Sequence, residues 1–327
     1  MNLKKIFENS VWYGLVPRLP SLVTVLLMPI ITPFLTKTDY GQWGVINSYS
    51  GIVMSICGLG LQLPMGNSFF KYHRNSNYRL VWRRIFFLMQ ISSVLLSIIL
   101  FMTVYSSITT TMGLFRLSVA FTTVIPILLY PNQVMVETFY TLSDRPRLFV
   151  IGNLLGTLLG IFVSYFSIVQ LKLGYFGWLL SAATSSGFVF IFFFRPIWLD
   201  EKIYPYALCP LRRILKWFRV SLPITLHILG NNLLTTSDRI IMGILMVSLE
   251  DVGLYTNGFQ FGGYITILVG GLLTAIGPTH QYAYRGNNFR EVRQLYYLTQ
   301  LCLSGIVFFV ALWMPEIYFL LIKNKPL

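Results

Sequence analysis

KTDYGQWGVIN at residues 37–47 returns as LEDVGLYTNGF at residues 249–259, and the pairing of the two stretches decides how the chain is read. Asp39 aligns with Asp251, Gly41 with Gly253 and Trp43 with Tyr255, all at an offset of 212 residues. At the same offset Gly51 meets Gly263 and Gly58 meets Gly270. The pattern has the chemistry of a helix start. A carboxylate favours the positive N-terminal end of a helix and can cap it. Glycine permits a sharp turn, and an aromatic ring belongs at a membrane–water interface. Each copy follows one long apolar stretch and opens another, so both are expected as turns on the same side of a membrane.

Composition requires the membrane. Hydrophobic residues make up 55% of the 327 and charged residues only 11%, against about 25% charged in a soluble domain. Mean hydropathy is +0.66. Apolar runs long enough to cross a bilayer as helices recur along nearly the whole length, and IFFLMQISSVLLSIILFMTVYSS at 85–107 is the clearest. A β-barrel would show alternating segments of about ten residues instead. The expectation is an all-α polytopic membrane protein with about nine transmembrane helices, at 11–35, 43–67, 85–107, 117–141, 148–169, 174–195, 218–238, 254–279 and 296–322. The opening MNLKKIFENSVWYG has no small-residue cleavage site and reads as an uncleaved first helix.

A net charge of +14 in a soluble protein would suggest nucleic acid. Here the cations sit between spans, where they set topology, and no nucleic-acid partner is expected. With the N-terminus in the cytoplasm, 18 of the 25 Lys and Arg fall in cytoplasmic segments and 6 in outer ones, with Arg18 inside a span. The C-terminus then lies outside. PIWLDEKIYPYALCPLRRILKW at 196–217 is basic and amphipathic and follows six spans, as a connector between two halves would. The expected division is a six-helix lobe at 1–195, the connector at 196–217 and a second lobe at 218–327 with three helices. Cys57, Cys209 and Cys302 form no disulfide framework or metal spacing. No Walker motif and no catalytic or metal-binding constellation occurs, so neither catalytic residues nor a cofactor is expected.

Two halves that both enter from the cytoplasm make a parallel repeat about an axis along the membrane normal, a recognised transporter design. Substrate would lie between the lobes near mid-membrane. By the same offset the second lobe stops at Leu327, where the third span of the first lobe ends. Either a truncated product or a shorter protein that works as an oligomer would account for this, and truncation is the expectation.

FENSVWYGLVPRL with its Pro-interrupted first helix, LTKTDYGQWGVINSYSGIVMSICGLGLQ, SDRIIMGILMVSLEDVGLYTNG and LKLGYFGWLLSAATSS together resemble the Wzx-type O-antigen and polysaccharide flippases. These belong to the multidrug/oligosaccharidyl-lipid/polysaccharide (MOP) exporter superfamily. The resemblance covers essentially the whole chain. It implies a MATE-like fold of two six-helix bundles, here incomplete. It also implies a function: moving an undecaprenyl-pyrophosphate-linked oligosaccharide from the cytoplasmic to the periplasmic leaflet of the bacterial inner membrane. Membrane lipids, a polysaccharide polymerase and a chain-length regulator would be the partners. A drug or cation exporter of the same superfamily would want more acids within its spans. A polymerase would want a large periplasmic loop. A non-transporting remnant is the remaining alternative.

Ionisable groups inside spans are costly and mark function by default. Arg18 lies between Pro17 and Pro20 in the first span, and a guanidinium suits a pyrophosphate through paired hydrogen bonds. Snorkelling to the headgroups is its bland reading. His227, with Asn231 one turn on, falls near the midplane of the seventh span, and Arg18 maps by the repeat to Gly230 between them. Arg18, His227 and Asn231 are the candidate substrate-binding residues, against a buried histidine held by a neighbour. Glu137, near the inner end of the fourth span, is the candidate ion-coupling carboxylate or half of a structural pair. Asp238 and Arg239 at the outer end of the seventh span are a candidate gate or cavity end, against a solvated helix end. Gly152, Gly156 and Gly160 in the fifth span make a small-xxx-small packing stripe.

Overall fold

The structure, a computed structural model, describes residues 19–72, 78–108, 113–143, 145–260, 262–263 and 289–316. The described residues form helices, and no strand occurs among them. We number the helices α1 (Leu19–Ile31), α2 (Lys37–Cys57), α3 (Gln62–Tyr72), α4 (Tyr78–Ser107), α5 (Gly113–Leu142), α6 (Pro146–Tyr165), α7 (Phe176–Phe193), α8 (Leu211–Ile244), α9 (249–260) and α10 (Phe289–Leu312). Wide π turns at Phe166–Gln170 and Phe194–Asp200 extend α6 and α7. Six of the helical segments are long and apolar enough to cross a membrane: α2 together with α3, α4, α5, α6, α7 and the main part of α10. The protein is therefore a multi-pass membrane protein. The expected spans at 11–35 and 254–279 lie partly outside the described residues.

The chain forms two compact units. In the unit of Met1–Leu35 and Leu254–Leu327, α1 bends through Pro29 into a short 3-10 turn. There the Thr32 hydroxyl donates to the Met28 carbonyl at 2.8 Å. The unit of Thr36–Gly253 carries α2 to α8 and the first turn of α9.

The opening motif is a helix start, but Asp39 is not its cap. Thr36 is the N-cap, and its hydroxyl accepts from the Asp39 N–H at 3.1 Å while the Thr36 N–H donates to Asp39 Oδ2 at 2.9 Å. This is a capping box. It moves the start of the helix to Lys37, ahead of the expected edge at 43. The second copy repeats the side-chain part of the device. Ser248 Oγ accepts from the Asp251 N–H at 3.1 Å and donates to Asp251 Oδ2 at 2.5 Å.

The two starts pack against each other. A Cβ on Gly41 would stand 2.1 Å from the Leu249 carbonyl oxygen, and one on Gly253 would stand 1.9 Å from that of Lys37. Lys37 and Leu249 are themselves 212 residues apart. Each glycine thus faces the carbonyl one turn ahead of the other, the reciprocal contact that a two-fold relation demands. Backbones can meet this closely only where neither carries a side chain.

From this seam α8 runs antiparallel along α2, with Thr236 opposite Gly51 and Ser221 and Thr225 opposite Gly60. Left-handed backbone at Leu59 (φ 49°) and Gly60 (φ 59°) breaks α2 from α3. The fifth-span stripe packs as expected: Gly152 meets Phe193, Gly156 meets Val189 and Gly160 meets Ser181, which seats α6 on α7. Pro131 inside α5 has no N–H for the Ile127 carbonyl. Ser93 of α4 supplies that bond at 2.5 Å, and Gln90 Nε2 donates to the adjacent Leu128 carbonyl at 3.2 Å. In a bilayer such freed groups need a protein partner.

Two apolar clusters fill the helix bundle. One gathers Leu61, Met65, Trp82, Phe86, Met135, Phe139 and Phe193, and the other Ile46, Leu100, Val104, Ile127 and Leu179. Trp82 is completely buried and donates from Nε1 to the Met65 carbonyl and to Ser68 Oγ, both at 3.1 Å. Large apolar side chains also point outward, Met102 at 62% and Ile191 at 74% exposure among them. A lipid-facing surface is built this way, whereas a water-soluble one avoids such patches.

Candidate functional site

The unit of Thr36–Gly253 carries an open cavity of about 620 Å³ at the end remote from the Gly41–Gly253 seam. One wall is the second half of α3, with Pro64, Asn67, Ser68, Lys71 and Tyr72. Leu80 and Val81 of α4 form the second wall, and Arg213, Lys216, Trp217 and Val220 of α8 form the third. The α8 residues follow helical spacing, so one face of its first turns looks into the cavity. Arg212 and Arg219 fall off that face, and all four of these α8 cations are exposed.

Three cations line this cavity and no carboxylate does. Neighbouring cations are already engaged. Arg79 Nη2 donates to Glu201 Oε2 at 2.7 Å, and the Arg83 guanidinium lies 3.7 Å from the centre of the Tyr204 ring and 5.0 Å from that of Tyr206. These contacts, with the Tyr206 N–H donating to the Arg83 carbonyl at 3.0 Å, strap the segment before α8 to α4. They fix where α8 begins. Burial pushes the Cys209 thiol above its ordinary value, against the opposing pull of Arg84 and Arg213. Arg84 Nε is buried without a hydrogen-bond partner. The first turn of α8 contains no acid, although the positive end of the helix dipole favours one there.

The residues singled out from sequence are not brought together here. Arg18 lies outside the described residues. His227 and Asn231 share one face of α8 but are exposed, and no hydrogen bond joins their side chains. The buried histidine held by a neighbour is thus not what the structure shows. Glu137 is exposed on α5 near Tyr130. Arg239 is only 5% exposed, so it is not a solvated helix end; its Nη1 donates to the Thr235 carbonyl at 3.3 Å. Asp238 is half-buried beside it. Among the described residues no three His, Cys, Asp or Glu side chains gather as a metal site needs. In the sequence Lys71, Arg213 and Lys216 read only as topology-setting charges between spans. The signal for them was the run Arg213, Lys216, Trp217, Val220 on one helical face.

This helical arrangement is the fold of the MATE transporters of the MOP superfamily. An inward-facing multidrug resistance MATE family transporter matches with a TM-score of 0.64 and 15% identity, over 95% of this chain and 72% of that one. An outward-facing one matches at 0.60 and 16%, over 97% and 74%. A MATE protein in its straight conformation matches at 0.60 and 15%, over 97% and 74%. No curated protein sequence matches. The chain belongs to the family described as polysaccharide biosynthesis protein, whose profile matches residues 6–281.

Proposed function

We propose that this protein is a flippase that carries an undecaprenyl-pyrophosphate-linked O-antigen or polysaccharide unit across the bacterial inner membrane by alternating access. The observation that carries the reading is the family match over residues 6–281, on a chain with the MATE-like fold. The cation bias supports an N-terminus in the cytoplasm. On that orientation the acid-free cavity opens on the cytoplasmic side, where such a substrate is made, and the Gly41–Gly253 seam closes the periplasmic side. Arg18, His227 and Asn231 would then meet the anionic headgroup and polar sugar on the way across, with Asp238 and Arg239 toward the outer exit. Glu137 would couple transport to an ion. A polysaccharide polymerase and a chain-length regulator would receive the product.

Expression in a flippase-deficient strain tests the reading. Wild-type chain restores surface polysaccharide, Arg18→Ala reduces it strongly and Glu137→Gln slows it with the protein still folded in the membrane. Absence of rescue by wild-type chain that is present in the membrane overturns the transport reading. Undiminished polysaccharide in Arg18→Ala removes that residue from the site.

A further inference from the structure

We infer that the cavity between α3, α4 and the first turns of α8 is a binding site for the phosphate or pyrophosphate group of an amphiphilic lipid, held by Lys71, Arg213 and Lys216. Three observations carry this beyond a cluster of surface charge. First, the three cations converge from two helices on one open cavity that no carboxylate lines, and none of them is ion-paired among the described residues. Without an anion the three like charges repel one another across the cavity. Second, α8 presents Arg213 and Lys216 at its positive end with no acid in the first turn. An anion there offsets both the side-chain charges and the dipole. Third, the remaining walls are mixed. Asn67 offers an amide and Trp217 and Tyr72 offer ring faces, while Leu80, Val81 and Val220 are apolar. An inorganic ion has no use for the apolar wall or for about 620 Å³, a size that suits a group as large as a drug molecule. A charged headgroup joined to a hydrocarbon chain uses all of it.

The neighbouring cations show what a structural role looks like in the same region. Arg79 has Glu201, and Arg83 has Tyr204 and Tyr206. Lys71 does lie 5.3 Å from the centre of the Tyr72 ring, a contact that leaves its ammonium free to donate.

That the lipid is the transported substrate rests on the flippase reading; that the cavity takes a lipid-borne phosphate does not. Native mass spectrometry of the purified full chain, titrated with undecaprenyl pyrophosphate, undecaprenol and phosphatidylglycerol, tests both. Arg213→Gln with Lys216→Gln is compared with Arg212→Gln with Arg219→Gln, an equal charge change on the same helix outside the cavity. Loss of charge-assisted contacts lowers affinity for the pyrophosphate lipid about tenfold or more in the cavity pair and less than twofold in the control pair. Undecaprenol binding stays the same in both. Lys71→Gln, on a different helix, weakens binding in the same direction, so a local folding defect of α8 cannot produce the result.

An equal loss for phosphatidylglycerol assigns the site to bulk phospholipid headgroups, and a loss confined to the pyrophosphate lipid assigns it to the substrate. Equal effects in cavity and control pairs overturn the inference. Selective loss of binding in a protein whose wild type fails to restore polysaccharide keeps the cavity and removes the flippase reading. Full rescue by the cavity pair with unchanged binding does the reverse.

Discussion

Replacing Gly41 or Gly253 with alanine perturbs the seam at two points related by the 212-residue offset. A carbon–oxygen contact settles near 3.3–3.6 Å. The new Cβ would sit 2.1 Å from the Leu249 oxygen in Gly41→Ala and 1.9 Å from the Lys37 oxygen in Gly253→Ala. The helices must part by about 1.2 Å and about 1.4 Å to reach that spacing. Both obstacles are backbone, so no side-chain rotation relieves them. Overpacking of this kind costs about 1–3 kcal/mol, which shifts a two-state population by roughly 5–150-fold. The clash exists only while the two helix starts touch, so the closed seam is the state that loses. Once either alanine has opened the gap, the second fits into it. The double variant therefore costs about as much as Gly253→Ala alone, a strong departure from additivity. Spin labels at Thr38 and Glu250, both exposed and themselves 212 apart, read the seam by pulsed dipolar spectroscopy once the three cysteines are replaced. Each single variant moves the distance distribution to longer separations, and the double moves it no further. A distribution unchanged from wild type in Gly253→Ala refutes the reasoning.

Other perturbations have smaller or more local consequences. Gly156→Ile drives a branched side chain into Val189, whose Cγ2 lies only 2.7 Å from where a Cβ would be, and into Ser185; it should lower the yield of monodisperse protein in size-exclusion chromatography, while Leu155→Ala on the exposed face should not. Arg79→Gln removes a bridge between partly exposed side chains, at 37% and 22%, so its stability cost should be about 0.2–1 kcal/mol and its main effect faster limited proteolysis within 201–210. A melting shift of many degrees would contradict that. Cys209 should alkylate with a pH midpoint above that of an exposed cysteine, because a raised thiol pKa leaves less thiolate at neutral pH. Arg213→Gln removes one of the charges that oppose the rise, so it should move the midpoint further up, and a downward move would contradict the placement of that guanidinium.

The helices were legible because a bilayer imposes long apolar runs, and the seam was legible because its residues occur twice. The finer parts depended on signals of a different kind. Thr36 with Asp39 and Ser248 with Asp251 fit the spacing of a capping box, so the true helix starts were written in the sequence and were obscured by reading Asp39 as the cap. The pairing of Ser93 with the carbonyl freed by Pro131 has no signature in either residue alone, since it depends on how α4 and α5 lie in register. The cavity was hidden for a related reason. A lysine or arginine at a span end sets topology wherever it points, so counting charges cannot separate Arg213, which lines the cavity, from Arg212, which does not. Arg239 misled in the opposite sense: its place in the sequence suggested an interfacial, solvated charge, while packing leaves it 5% exposed.

The two kinds of glycine contact divide the molecule into parts that hold and parts that can move. Along α6 and α7 the glycines receive the side chains of Phe193 and Val189, and separating such interdigitated surfaces forfeits dispersion contacts on every layer. At the seam, glycine meets backbone, and the cap bonds of Thr36 with Asp39 and of Ser248 with Asp251 each close within one helix, so parting the helices leaves both caps intact. Asp39 also accepts from the Tyr175 N–H at 3.1 Å, through a turn that holds Gly174 at φ +57°. That bond ties the start of α2 to the start of α7 and leaves the opposing helix start as the partner able to swing away. A bond that joins α2 to the α6–α7 pair should therefore persist when the seam is forced open, and Asp39→Asn should lower stability without changing the direction of that opening. Labels at Thr38 and at exposed Lys172 should then keep one distance in Gly253→Ala, while the Thr38–Glu250 distance lengthens. Lengthening of both would place the moving boundary between α2 and α7 instead.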